Sequence, residues 1–284
     1  MSVQITTAFV EQYKSNVFHL AQQKGSRLRD AVRTETVTGK SHFFERIGSS
    51  AAEKRTSRHS DTPRMDTPHS RRKVTLEDYD WADLIDQEDK VRMLISPQSE
   101  YAMAGAWAMG RAMDDAIIAA ATGTALGGVS GGSSISLPSA QKVAHGSAGL
   151  TLAKLLSAKE ILDKNDTDPD EPRFMLVTAG QLADLLGITS VTSADFNSVK
   201  ALVQGDVDTF LGFNFIRTER LGLDATPNRQ VLGFCQSAIG LAVGADIQTK
   251  ISERADYATQ VFLSMSIGAT RIEDEKMVEI ACTE

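Results

Sequence analysis

A chain of 284 residues fits one large domain or two modest ones, and its 42% hydrophobic content is enough for a sizeable core. A net charge of −7 and a pI near 5.3 argue against a dedicated nucleic-acid binder, which is basic over its binding domain. Two distant cysteines, Cys235 and Cys282, give no disulfide framework and read as buried free thiols of a reducing compartment.

The start, "MSVQITTAFVEQYKSN", lacks the basic and apolar regions of a signal peptide, and no apolar run approaches the roughly 20 residues of a spanning helix. A chain made and folded in a cytoplasm, with no membrane partner, is expected. Val10, Tyr13, Val17, Leu20 and Ala21 predict a docked helix over 7–24, stopped by Gly25. "TETVTGKSHFFERIGSS" predicts a strand or extended arm, and so does "KVTLEDYDWADLID".

Between them lies "RHSDTPRMDTPHSRRK" (58–73), polar apart from Met65 and carrying Pro63 and Pro68. The simplest object is a long two-stranded excursion with a polar tip, which is marginal alone and needs a surface to lie on. Its basic residues, Arg58, Arg64, Arg71 and Arg72, are followed at once by an acidic run, 77–92, that includes Asp78, Asp80 and Asp83. These two sets can neutralise each other within one subunit, or set register between copies as intersubunit contacts.

"SPQSEYAMAGAWAMGRAMDDAIIAAATG" predicts the longest helix, with Ser96 as N-cap, Pro97 at the first position and Gly123 as the stop. Met103, Ala106, Gly110, Met113, Ile117 and Ala121 form its apolar stripe, and Arg111 is placed to pair with Asp115 at i, i+4. "TGTALGGVSGGSSISLPS" reads as a mobile Gly/Ser loop and a subdomain boundary. Helices are expected in "LTLAKLLSAKEILDKND", with Leu152, Leu155, Leu156 and Leu162 on one face, in "AGQLADLLG", in "SADFNSVKALVQGDVDTFLG" and in "QSAIGLAVG". Strands are expected in "RFMLVT", "FNFIRTERL" and "QVLGFC", and an antiparallel meander over 246–284. This is an α+β or α/β core around a central sheet.

Motifs for chemistry are missing. His59 and His69, ten residues apart among arginines, make no zinc set. "DTDPDEP" starts like a calcium loop through Asp166, Asp168 and Asp170. It then has Glu171 where Gly is needed and Val177 where Glu is needed. "GTALGGVSGG" lacks the GK[ST] of a phosphate loop, and no GxSxG or HExxH occurs. No enzyme, cofactor or metal is expected.

The order of parts resembles the major capsid proteins of tailed bacteriophages, the Hong Kong 97 (HK97-like) fold. "FVEQYKSNVFHLAQQKGSRLRDAV" with "VTGKSHFFERIG" is similar to their amino-terminal arm, "RRKVTLEDYDWADLIDQEDK" to the return of their extended loop, and "AMGRAMDDAIIAAATG" to their spine helix. "GDVDTFLGFNFIRTERL" is similar to an axial-domain passage, and "VFLSMSIGATRIEDEKMVEIAC" to the last peripheral-domain strands.

The resemblance implies an α+β fold with an arm (1–38), an extended β-hairpin loop (39–80), and a peripheral domain (81–148) holding the spine helix over 97–122. An axial domain (149–245) and a peripheral-domain β-meander (246–284) follow. It implies hexamers and pentamers tiling an icosahedral shell around double-stranded DNA, which is enclosed without sequence-specific binding. The extended loop would lie over a neighbouring subunit. The arm starts close to Met1, leaving no room for a cleaved scaffolding segment, so a separate scaffolding protein and a portal are the expected partners. Lys54 lies near the loop, but no crosslink follows from it. The other readings are a cellular nanocompartment shell of the encapsulin type, a DNA-binding accessory protein using residues 54–73, and an enzyme of the mixed domain.

Overall fold

A computed structural model describes residues 22–58, 61, 64–86, 97–187, 209–224, 228–254 and 258–284. Most of the helix expected over 7–24, the Ser96 cap, His59, Pro63 and the helix expected between 193 and 208 lie outside the described residues.

The chain opens with β1 (Arg33–Thr36), β2 (Ser41–Ile47), β3 (His69–Thr75) and β4 (Glu77–Ile85), followed by the long helix α1 (Pro97–Thr122). Three short strands come next: β5 (Ala125–Gly127), β6 (Ser133–Ile135) and β7 (Lys142–Val143). Then come α2 (Leu152–Lys164), β8 (Arg173–Val177), α3 (Ala179–Leu186), β9 (Thr209–Phe210), β10 (Phe213–Arg217) and β11 (Arg229–Cys235). Two long strands, β12 (Ile239–Glu253) and β13 (Thr259–Arg271), precede the last, β14 (Met277–Cys282).

The first sheet runs β1-β12-β13-β4, and α1 packs on it. Met109, Met113, Ile117 and Ala121 meet Leu241, Val261, Leu263, Met265 and Ile267 in the main core. Gly105 lets the helix approach closely, since a Cβ there would lie 2.6 Å from Trp81. The stripe read from sequence holds for Met113, Ile117 and Ala121, while Met103 is 42% exposed.

The second sheet, β7-β14-β11-β8-β10-β9, carries a separate core. Leu155, Ala158 and Leu162 of α2 pack there, whereas Leu156, expected on that face, is exposed. Thr151 caps α2 by accepting from the Lys154 N–H, and Thr178 with Gln181 forms a capping box on α3.

Three expectations are corrected. The Gly/Ser stretch after α1 is a β-hairpin, β5–β6, not a mobile loop; Gly128 and Gly131 take φ of 86° and 76°, so they build the turn. "QSAIGLAVG" is not a helix. Gln236–Ala238 form one 3-10 turn, and Ile239–Val243 begin β12, with 240–243 paired on both sides by β1 and β13. A short apolar run buried on both faces has no period that separates strand from helix. The expected meander holds for β12 and β13 only, because β14 leaves to pair with β11 and β7 in the second sheet. Among the described residues no helix is long and apolar enough to cross a membrane.

Candidate assembly surface

The excursion is rooted more firmly than two strands allow. β2 and β3 pair from Ser41↔Thr75 out to Ile47↔His69, and β5 and β6 extend them into a third sheet of four strands. Successive residues of a strand point to opposite faces. Phe44 and Val74 face inward and pack with Val37, Ala242 and Ile272 in a small core of their own. Gly240 makes room for the Phe44 ring, since a Cβ there would lie 2.6 Å from it. Beyond Ile47 a hydrogen bond from Gly48 N–H to Pro68 O (2.8 Å) closes the ladder, and the tip, 49–67, is the chain between these two residues.

Period two also separates the paired arginines. Arg71 faces outward: it pairs with Glu45 at 2.9 Å and stacks over the Phe43 ring at 5.2 Å. Ile47, on the same face, is 71% exposed. Arg72, expected as an intersubunit contact, is instead committed inside its own subunit. It is 4% exposed, pairs with Asp274 at 2.6 Å, and its Nε–H donates to Ile272 O at 3.3 Å. Burial pulls this guanidinium below its ordinary pKa, Asp274 opposes that, and Arg46 and Arg271 add to the lowering.

Asp274 is shared with Arg271, which is fully buried. The Arg271 guanidinium also donates to Ala121 O at 2.9 Å, Gly123 O at 2.8 Å and Ile135 O at 3.0 Å. One planar cation thus meets the free carbonyls and the negative end of α1 and holds the β5–β6 hairpin. Arg72, Asp274 and Arg271 tie the excursion to the long helix. Sequence reading missed Arg271 and Asp274. Their only signal is an Arg and an Asp three apart, in "RIED", and such pairs are common on surfaces.

The acidic candidates divide in the same way. β4 is the last strand of its sheet. Asp78 and Asp80 are exposed on one face, together with Leu84. Asp83 shares the helix-facing row with Tyr79, Trp81 and Ile85 and is half-buried, its Oδ1 accepting from Leu84 N–H at 2.8 Å. Arg58 and Arg64 are exposed in the tip. Among the described residues no ion pair joins Arg58, Arg64 or Arg71 to Asp78, Asp80 or Asp83. The expected Arg111–Asp115 pair is also absent among them: Arg111 turns to Gln22 and Gln23, and Asp115 binds Arg220.

Among the described residues no three metal-ligating side chains converge. His69 is exposed at the start of β3, and "DTDPDEP" is an irregular turn in which Asp168 accepts from Asp170 N–H at 3.0 Å.

The family model "phage capsid protein" matches residues 5–284, and the chain belongs to that family. A comparison with curated proteins finds no match. Among solved structures it is similar to the capsid of the cyanophage P-SCSP1u, at 19% identity and a TM-score of 0.72, covering 99% of this chain and 94% of that one. A structure from Mycobacterium phage Che8 (17%, TM-score 0.69) is covered over 96% and 97% of the two chains. The capsid of a native GTA particle (12%, TM-score 0.70) is covered over 100% and 99%. At these identities the likeness establishes the fold, which is α+β and HK97-like. The protein is a structural capsid shell protein of the virion.

Proposed function

We propose that copies of this chain assemble into hexamers and pentamers that tile an icosahedral shell around phage double-stranded DNA. The arm is 1–38 and the extended loop 39–80. A peripheral domain takes 81–148 and 246–284, and an axial domain 149–245. The loop lies over a neighbouring subunit, where Arg58, Arg64 and Arg71 meet Asp78 and Asp80 of another copy. One observation carries this reading: among the described residues the exposed basic set, in the tip and on β3, and the exposed acidic set, on β4, form no ion pair with each other.

An acidic chain suits a wall that encloses DNA without gripping it. A separate scaffolding protein and a portal complete assembly in the bacterial host cytoplasm. Electron microscopy of the purified protein is expected to give uniform closed particles with five- and six-fold capsomers. Monomers alone would overturn the reading. Strongly salt-dependent DNA binding by isolated subunits would favour a DNA-binding accessory role. Particles that never hold DNA during infection would favour a cellular compartment.

A further inference from the structure

A buried carboxylate on α1 takes no part in the charged rows or the loop root. Asp114 is fully buried. It accepts from Gln23 Nε2, from Ser26 Oγ at 2.6 Å, from Arg27 N–H at 3.1 Å and from Leu28 N–H at 3.2 Å. Gly25, at φ 75°, turns the backbone there, so that consecutive N–H groups converge on one anion. One turn earlier, a Cβ on Gly110 would stand 2.5 Å from Ser26 N.

The same ridge supplies Arg111, whose Nη1 donates to Gln22 Oε1 and Gln23 O, each at 3.0 Å. It also supplies Trp107, whose ring centre lies 5.5 Å from Lys24 Nζ. Positions 107, 110, 111 and 114 share one helix face. From Leu28 onward the chain is held by burial, with Ala31 and Val32 in the main core. Among the described residues before Leu28 it is held by this polar ridge and by a hydrogen bond from Arg27 Nη1 to Arg217 O.

We propose that Gly110 and Asp114 form a clasp that fixes where the amino-terminal arm leaves the subunit, with Asp114 as the arm's positioning residue during assembly. The inference rests on the shell reading. Without the clasp the arm starts from a loose point, and copies cannot place it alike.

Limited trypsin digestion of dissociated subunits tests this, with cleavage after Lys24 and Arg27 scored against cleavage in the exposed tip after Arg58 and Arg64. Micrographs of assembled particles are taken in parallel. For Asp114→Asn and Gly110→Ala, arm cleavage is expected to rise about tenfold or more while tip cleavage stays constant, because cleavage follows the open population. Regular particles are expected to be lost. Gly110→Ala is the more telling variant, since alanine favours the helix and leaves a collision with the arm as the only damage. Wild-type cleavage in Gly110→Ala, or regular particles despite fast cleavage, would overturn the clasp. If wild-type protein makes no closed particles, the shell reading fails first, while the digestion still reports on the clasp.

Discussion

Arg71 and Arg72 are chemically identical neighbours with opposite fates, because β3 sends one to solvent and the other to Asp274. Arg71→Glu is therefore expected to leave the melting temperature nearly unchanged and to abolish closed particles, as read by calorimetry and electron microscopy. Arg72→Glu sets a second carboxylate beside Asp274 in a buried site and should unfold the subunit. Asp274→Ala strands two buried guanidinium groups, at a cost of about 3–5 kcal/mol in urea unfolding. Cys235 and Cys282 make a different test. Burial raises each thiol to about 11, with Glu171 adding to the rise at Cys235 and Lys154 opposing it at Cys282. A folded pKa above the unfolded value gives stability that is full below the unfolded pKa and falls as pH rises towards 11. The native protein should resist alkylation near neutral pH, and its denaturation midpoint should drop between pH 9 and 11.

At the scale of elements, the extended loop divides into a root and a tip. The root is a paired sheet with its own small core, and the tip, 49–67, lies beyond the Gly48–Pro68 hydrogen bond. Replacing 49–67 by a two-residue turn should preserve the circular dichroism spectrum and melting of the subunit while preventing stable particles. A cut reaching into β3 would remove Arg72 and Val74 and damage the fold itself. The three described helices and most strands were legible because their periods are local: α2 and α3 fall in "LTLAKLLSAKEILDKND" and "AGQLADLLG", and "RFMLVT" and "FNFIRTERL" hold the strands they look like. The hairpin β5–β6 was not legible. Its Gly/Ser composition matches a loop, and the β3 edge that orders it is about fifty residues earlier in the chain.

The described residues form one long helix lying against a sheet built from both ends of the chain, a second sheet folded on its own core, and a third that roots the extended loop. In the proposed shell the exposed basic tip of one copy meets the exposed acidic row of the next, a local attraction that salt weakens. Assembly followed by light scattering should slow as ionic strength rises from about 0.05 to 0.5 M. An unchanged rate would mean that apolar contacts such as Ile47 carry the interface. The sequence by itself determined the order of parts, the long helix, the lack of recognisable catalytic motifs and the basic-then-acidic pairing, since each depends on composition or on spacing within one element. Tertiary structure decided which charges stay exposed and which are buried, that Arg271 and Asp274 bind the loop to the helix, and that β14 leaves its neighbours for the second sheet. Those outcomes depend on which strand lies beside which, and residues two hundred positions apart, such as Arg72 and Asp274, carry no mark of each other until the chain has folded.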